Sequence, residues 1–376
     1  MKLLGYQHGF INNPNDNPFI LPKVGRTDYN DLKNNIIKIV DNYSNTQINS
    51  KYEITSLQYD CLILDGYYNK KKKIYVNVGI MDSDVEKLLD SYDYNIEELT
   101  INHSNILGLL DLKKFTKLKK LICSSNEIMR IESLPVSLEY LEVSFNKLKS
   151  INIKYLTNLK YFRCAYNQLS QIDLPNGIEF FDCTENILSG EFRGLDELTN
   201  LNTLNCSYNE LNKIIFSKSN PIKKLIITGN NFKTLENIPD SIEYLDCSYN
   251  PCYNLDFLKN RLCILNCSNC YLTKLNNLPS SLKELSCSHN QIDNLDNLPC
   301  GLRILYCRYN KISYMDYLPD SLEVLFVGDN KFLKNLDNLN TGLKELECGM
   351  CQNITNLDNI PNTLIYLSHT CKKIIK

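Results

Sequence analysis

The sequence predicts an α/β repeat solenoid with a parallel β-sheet on its concave face, extended or 3-10 arms on its convex face and a small N-terminal cap. Two observations support this fold class. The segment Leu-x-x-Leu-x-Cys-x-x-Asn recurs about every twenty residues, and a fixed period of this length is typical of stacked-repeat proteins. A Leu-Pro or Ile-Pro step also precedes many of the repeats.

The repeat is defined by the residue types at four positions. Position one is a large aliphatic residue, position four is most often Leu, position six is a small apolar residue, most often Cys, and position nine is most often Asn. Positions one, four and six follow the alternation of a strand's buried face, so we expect them to form the core. The first positions are Ile96, Leu118, Leu138, Leu159, Ile178, Leu201, Ile222, Ile242, Leu262, Leu282, Leu302, Leu322, Leu343 and Leu364.

The Cys and Asn residues suit the corner that follows each strand. The chain must turn sharply after position eight, and this turn leaves backbone N–H and C=O groups that point inward. A side-chain amide has both donors and an acceptor, so a column of residues such as Asn126, Asn146 and Asn167 can satisfy those groups. Because a free Cys behaves as a small apolar residue, we interpret Cys123 and Cys164 at position six as packing residues.

The returning arm of most repeats contains a proline, as at Leu134-Pro135 and Leu278-Pro279. Proline lacks an N–H group and favours extended geometry in the residue before it. The arms are therefore predicted to be extended or polyproline-like rather than α-helical.

This template resembles the leucine-rich repeat family, and the short unit with Leu-Pro before the strand is most similar to the subtype of bacterial effectors. The resemblance covers residues 96–376, about three quarters of the chain. It implies a leucine-rich-repeat horseshoe with the parallel sheet on the concave side. The richness in Asn, Lys, Ile and Tyr, with Cys at position six, also resembles the repeat proteins of giant amoeba-infecting DNA viruses.

Two regions are predicted. Residues 96–376 form a solenoid of about fourteen coils, and residues 1–95 form an α+β capping region that covers the apolar end of the first coil. Degenerate coils after residue 54 are the alternative, because short apolar runs are ambiguous. The elements expected within the cap are a helix over 28–43, strands over 51–64 and 74–78, and a helix from Asp82 with Val85, Leu88 and Leu89 on its apolar face.

Composition argues against several classes of function. The formal net charge is −2 at pH 7, which gives no general basis for nucleic-acid binding. The lysine run at 70–73 is interpreted as a solvated hairpin turn, with nuclear targeting or phosphate binding as the alternative. No apolar stretch approaches the length that spans a membrane, and the first residues lack the apolar segment of a signal peptide.

The sixteen cysteines could indicate a secreted disulfide scaffold, but the repeat favours a different interpretation. Nine of them fall at position six. Position-six residues of adjacent strands would lie ~4.8 Å apart, whereas the Cβ atoms of a disulfide lie about 3.8 Å apart. We therefore expect reduced cysteines and a cytoplasmic protein, in the host cytoplasm if the source is viral.

No residue pattern predicts catalysis, a metal or a cofactor. Cys267-x-x-Cys270 and Cys348-x-x-Cys351 have the spacing of zinc ligands, but the repeat itself places these residues at positions six and nine. Zinc would also need two further ligands from elsewhere. Effectors with this repeat often carry a separate ubiquitin-ligase domain, and its activity is not expected here because the sequence ends at Lys376, directly after the last coil.

The remaining candidate is the concave surface, onto which positions three, five and seven point. Aromatic residues lie there beside acidic ones, above small residues, and exposed aromatics often anchor interfaces. The alternative is that strands simply favour aromatic and β-branched residues. The candidate partner-binding residues are Tyr140, Glu142, Tyr161, Arg163, Phe180 and Asp182 at a central site, Ile304, Tyr306, Val324 and Phe326 at a second site, and Tyr244 and Asp246.

The sequence therefore predicts a non-catalytic protein–protein interaction module whose partner is an unidentified protein, with neither nucleic acid nor membrane as a partner. The first alternative is a self-associating structural or particle-associated protein, because only Lys372, Lys373 and Lys376 remain to protect the apolar end of the C-terminal coil. The second alternative is an adaptor or effector that acts on host signalling or ubiquitin pathways without its own catalytic domain.

Overall fold

The computed structural model describes residues 64–69, 74–78 and 82–369, except 218, 236, 237, 256, 259, 355, 356 and 358. The predicted helix over 28–43, the lysine run at 70–73 and the C-terminal lysines lie outside the described residues. The chain divides into two compact units, the first ending at Ile151 and the second beginning at Asn152. Each unit is described by itself.

The first unit contains an antiparallel hairpin and a short helix. The hairpin pairs β1 (Leu64–Asn69) with β2 (Ile74–Val78), and helix α1 covers Asp82–Asp90. Both β2 and α1 lie where the sequence predicted them. Except for Leu64, the strand predicted over 51–64 lies outside the described residues. Asp65 and Gly66, which were expected to follow that strand, instead lie within β1, whose register shifts between Leu64 and Tyr67.

The first repeats follow α1 in the same unit. Their strands pair in parallel, position three against position three, and two of the returning arms form a second parallel pair. The repeat strands are β3 (Glu98–Thr100), β5 (Lys120–Ile122) and β7 (Tyr140–Glu142), and the arm strands are β4 (Leu107–Asp111) and β6 (Glu127–Glu132).

The second unit continues the same pattern in one parallel sheet, and one further pair of arms is also in parallel strands. Counted over the repeats of both units, the predicted repeat solenoid is confirmed, with about 13 turns and little helix. The strands are β8 (Tyr161–Arg163), β9 (Phe180–Asp182), β10 (Ser189–Phe192), β11 (Thr203–Asn205), β12 (Glu210–Ile214), β13 (Lys224–Ile226), β14 (Tyr244–Asp246), β15 (Ile264–Asn266), β16 (Glu284–Ser286), β17 (Ile304–Tyr306), β18 (Val324–Phe326), β19 (Glu345–Glu347) and β20 (Tyr366–Ser368). Strands β10 and β12 are the arms.

Positions one, four and six form the core, as predicted. In the repeat around β17, the side chains of Leu302, Leu305 and Cys307 are all fully buried. Burial also raises the pKa of the Cys287 thiol well above its usual range, so this thiol stays protonated and behaves as an apolar group. The position-six cysteines are therefore packing residues.

The predicted asparagine column is present, and Asn290 shows how it works. Its Nδ2 donates to the carbonyl oxygens of Cys267 and Cys287, each at 2.9 Å. Its Oδ1 accepts from the backbone N–H groups of Cys270 at 3.0 Å and Leu272 at 2.9 Å. One amide thus satisfies buried backbone groups of two neighbouring coils, which stabilises the sharp turn after the strand.

A second polar column, which the repeat pattern did not predict, lies just before the strands. The hydroxyl of Ser321 donates to the carbonyl oxygens of Cys300 at 2.8 Å and Leu302 at 2.6 Å. Ser281 makes the equivalent bond to Leu262 at 2.7 Å. This column explains why Ser or Thr often stands directly before position one.

In the repeats with a Leu-Pro or Ile-Pro step, the proline marks a tight turn into the strand. The carbonyl oxygen of Pro319, for example, accepts the N–H of Leu322 at 3.0 Å, three residues later. Proline supplies the fixed φ that such a turn needs. It also gives up one backbone hydrogen bond, because the equivalent residue of a repeat without proline, Phe115, donates its N–H to the carbonyl oxygen of Leu112 at 2.9 Å. Where they occur, the Leu-Pro and Ile-Pro steps therefore set the point at which the coil re-enters the sheet.

Candidate functional site

Positions three, five and seven lie on the side of the parallel sheet that faces away from the core, which we call the open face. The burial pattern of the strands shows which side faces the core. In β17, the central residue Leu305 is buried, whereas its neighbours Ile304 and Tyr306 are half-buried. All the candidate partner-binding residues stand at positions three and five. The structure therefore places them on the open face of their own unit.

Two candidates of the central site, Tyr140 and Glu142, lie in the first unit. The Glu142 side chain is buried, and its Oε1 accepts hydrogen bonds from the Ser124 hydroxyl at 2.9 Å and the Ser144 N–H at 3.3 Å. Tyr140 is half-buried, with the ammonium of Lys120 5.7 Å from its ring centroid. Glu142 thus supports the sheet, and Tyr140 is the more accessible of the two.

The other four central-site candidates lie together in the second unit. The rings of Tyr161 and Phe180 stack with centroids 4.4 Å apart and planes within 3°. Beside them, Arg163 Nε donates to Asp182 Oδ2 at 3.0 Å. The Asp182 side chain is only 7% exposed, and its carboxylate positions the Arg163 guanidinium.

Asp182 and Asp246 share a further structural role. Each carboxylate accepts the backbone N–H two residues later at 3.0 Å and the hydroxyl of the same residue at 2.6 Å, from Thr184 and Ser248 respectively. Position-five acids therefore cap the backbone where the strand ends. Tyr244, beside Asp246, has a raised pKa because of burial first and then the nearby carboxylates of Asp246 and Glu284.

The second candidate site is an aromatic cluster held in place by an ion pair. Tyr306 and Phe326 meet edge to face at 5.2 Å. The guanidinium of Arg308 lies 5.0 Å from the Phe326 centroid, and its Nε donates to Glu347 Oε2 at 2.9 Å. The Glu347 carboxylate also fills the space that a side chain at Gly328 would need, which explains a glycine at position seven of this repeat.

Acidic side chains surround the aromatic cluster. Burial raises the pKa of Tyr306, and the nearby carboxylates of Glu284 and Glu345 raise it further. In the described repeats from β14 to β19, the acids at positions three and five are Asp246, Glu284, Glu345 and Glu347, whereas Arg308 is the one base at positions three, five and seven. This part of the open face therefore carries excess negative charge.

The residues at position eight form a second exposed surface, which was not among the predicted binding sites. Every described position-eight residue has a left-handed backbone, with φ between 52° and 64°. Large side chains at this position point into solvent, for example Tyr208 at 48% and Tyr249 at 56% exposure. The signal was visible as a tyrosine recurring directly before the column asparagine. The position-eight residues are His103, Ser125, Phe145, Tyr166, Glu185, Tyr208, Gly229, Tyr249, Asn269, His289, Tyr309, Asp329 and Met350.

A cavity of about 190 Å³ lies between α1 and the first arm in the first unit, lined in part by Val85, Leu89 and Phe115. It also contains titratable groups, Asp90 and Lys114, whose charged groups are 2.6 Å apart. The hydrogen bond with Lys114 lowers the pKa of Asp90 and raises that of Lys114. Both groups therefore stay charged near neutral pH, and neither has the intermediate pKa that general acid–base catalysis favours.

The Cys-x-x-Cys pairs follow the repeat, as interpreted from the sequence. Cys270 stands at position nine, and its Sγ donates to the carbonyl oxygen of Cys247 at 3.2 Å, which replaces one bond of the asparagine column. Cys351 makes the equivalent contact with Val327 at 3.5 Å. Within the part of the chain that the structure describes, no three His, Cys, Asp or Glu residues are arranged to hold a metal ion.

None of the helices formed by the described residues is long and apolar enough to cross a lipid bilayer.

The sequence is similar to that of a viral protein. A putative leucine-rich repeat protein of Acanthamoeba polyphaga mimivirus is 30% identical over 132 residues, which cover 34% of this chain and 31% of the relative. The matched part thus spans about a third of the relative's length. No protein-family model matches the chain.

Solved structures give a more extensive match. The functional domain of InlJ from Listeria monocytogenes, described as including a cysteine ladder, matches with a TM-score of 0.63 and 26% identity over 74% of this chain and 64% of that one. YopM from Yersinia enterocolitica matches with a TM-score of 0.56 and 26% identity over 70% of this chain and 62% of that one. Both are similar to this chain in the repeat solenoid itself.

Proposed function

We propose that the chain, which is a leucine-rich repeat protein, binds a protein partner on its open face and catalyses no reaction. Proteins of this kind are generally interaction modules, because stacked repeats create one extended surface. The observation that carries the proposal is the aromatic cluster of Tyr306 and Phe326, which lies on the side of the sheet opposite the core.

The Tyr306–Phe326 cluster has the features of an interface anchor. Aromatic side chains bury a large area on binding and lose little conformational entropy. The Phe326 ring lies between the ion pair of Arg308 with Glu347 and the ring of Tyr306. The cluster is therefore ordered before binding, which lowers the entropic cost of association.

The charges around the cluster indicate the chemistry of the partner. Glu284 and Glu345 flank Tyr306 closely enough to raise its pKa. A partner segment with Lys or Arg can place its cation against these carboxylates and over the aromatic faces. We therefore propose a partner with a basic contact surface at this site, and binding that weakens as the salt concentration rises.

The Tyr161–Phe180 stack is proposed as a second contact point in the same unit. It presents a flat aromatic surface beside Arg163, whose guanidinium is oriented by Asp182. Such a surface suits an aromatic or acidic group of the partner, because Arg recognises carboxylates by directed hydrogen bonds. The two contact points thus have opposite charge preferences.

Affinity capture from the native cellular context tests the proposal. We expect that Y306S combined with F326S, and separately Y161A combined with F180A, each reduce capture of the same protein by about tenfold or more, the loss typical of interface anchors. Tyr317→Ser serves as the control, because Tyr317 is 71% exposed and lies outside the open face. Equal capture by the wild type and both open-face variants, at equal Tm, would contradict the proposal.

We further propose that the protein works in a reducing compartment, the cytoplasm, and in the cytoplasm of an amoebal host if it is viral like its mimivirus relative. The position-six cysteines are used for packing. Protein isolated from its natural setting and unfolded with an alkylating agent, without reductant, should carry sixteen alkyl groups by mass spectrometry. Labelling that falls short by pairs would indicate disulfides and overturn this assignment.

A further inference from the structure

The residues at position eight have an unfavourable left-handed backbone conformation, and the large side chains there contribute little to the packing of the core. A left-handed backbone suits Gly, Asn and Asp, whereas bulky residues adopt it rarely. Gly229 and Asn269 follow this preference, but Tyr208, Tyr249 and Tyr309 do not. Since these three rings are about half exposed, core packing does not account for their presence.

Within the second unit, rings and small residues alternate at position eight from Tyr208 to His289, and Tyr309 follows in the next coil. The Tyr208 ring lies over Gly229, where an added Cβ would come within 2.6 Å of it. Asn269 separates Tyr249 from His289, and His289 stacks on Tyr309 with centroids 4.2 Å apart and planes within 12°. Tyr208, Tyr249 and His289 thus occupy every second coil, with small residues between them.

This spacing matches one kind of ligand. Residues on alternate strands of a sheet are ~9.6 Å apart, because neighbouring strands are ~4.8 Å apart. A polyproline II helix repeats after three residues, or ~9.3 Å. A polyproline II segment lying along the row would therefore present an equivalent residue to Tyr208, Tyr249 and His289 in turn, with Tyr309 extending the His289 ring at one end.

The chemistry of the row fits the same ligand. Polyproline II has no internal hydrogen bonds, so its carbonyl oxygens remain free to accept. Tyrosine offers a flat apolar ring for a proline and a hydroxyl that can donate to such a carbonyl. The row carries no Asp, Glu, Lys or Arg at position eight from Tyr208 to Tyr309, so it does not provide the cations that a nucleic-acid backbone requires.

We propose that the row formed by Tyr208, Tyr249, His289 and Tyr309 binds a proline-rich peptide segment in the polyproline II conformation. This mode of recognition uses aromatic-lined grooves. The site goes beyond the function proposed above, because position eight projects from the turn that follows the strand and not from the open face. The two sites can therefore be tested independently.

Fluorescence anisotropy with a labelled decaproline peptide tests the site, with a labelled Gly-Ser peptide of equal length as the control ligand. We expect the wild type to bind decaproline and to bind the Gly-Ser peptide at least about tenfold more weakly. The double variant Y208N and Y249N should lose most of the decaproline affinity. Its Tm should equal or exceed that of the wild type, because Asn tolerates the left-handed backbone better than Tyr does.

Two further variants keep the result decisive. Y249F retains the ring and should bind with intermediate affinity, because it removes only the hydroxyl donor. F326S, on the open face, should bind decaproline as the wild type does. The proposal fails if decaproline and the Gly-Ser peptide bind alike, if the double Asn variant binds decaproline unchanged, or if that variant loses binding only together with its fold.

Discussion

Replacing Asn290 with Ala is expected to lower the free energy of unfolding by roughly 3–5 kcal/mol, because several buried backbone groups lose their partners at once. The carbonyl oxygens of Cys267 and Cys287 and the N–H groups of Cys270 and Leu272 all bond to this amide. Asn290 is 8% exposed, so water cannot easily replace it. The effect should exceed that of an ordinary surface substitution several-fold.

Chemical denaturation and hydrogen exchange measure this prediction. Asn297→Ala is the matched control, because Asn297 is exposed in the same coil, and its effect should stay within about 0.5 kcal/mol. Asn290→Cys should cost less than Asn290→Ala, since Cys270 shows that a thiol can still donate to the preceding carbonyl. If Asn290→Ala were no worse than the Asn297 control, the asparagine column would not be what stabilises the turn.

The core and the asparagine column could be predicted from the sequence because each depends on the residue type at one repeated position. A core position requires an apolar side chain, and buried backbone N–H and C=O groups that lack a backbone partner require a side-chain amide. The roles of Leu305 and Asn290 could therefore be predicted from their residue types. The serine column is different. Ser321 satisfies carbonyl groups of the previous coil, and the sequence does not show which carbonyls remain free until the path of the arm is known.

The candidate site was less predictable, because side chains on one face of a strand do not share one role. Asp182 and Phe180 were both expected to meet a partner. The structure shows that the Asp182 carboxylate caps the backbone at Thr184 and orients Arg163, which depends on the exact direction of the N–H groups after the strand. Position eight was missed for a related reason, since a left-handed φ at Tyr249 cannot be recognised from the residue type.

The second large expected effect is the difference in stability between the Phe181→Ala and Phe180→Ala variants. The two residues are adjacent in one strand, so their side chains point to opposite faces of the sheet. Phe181 is fully buried, its ring stacks on Phe162 at 5.4 Å and it meets Phe192 at 6.1 Å. Phe181→Ala should therefore lower the free energy of unfolding by roughly 3–5 kcal/mol through lost burial and the resulting cavity. Phe180→Ala should cost only about 0.5–1.5 kcal/mol, the contribution of its stack with Tyr161.

The two variants should also differ in where and how they act. Each coil of a solenoid contacts only its neighbours, so Phe181→Ala should increase hydrogen exchange around β8 and β9 while β17 and β18 keep their protection. Phe180→Ala should leave exchange nearly unchanged and instead weaken partner capture. A Phe180 variant that unfolds as readily as the Phe181 variant would mean that the open-face ring stabilises the fold, and the Tyr161–Phe180 stack would then lose its role as a binding surface.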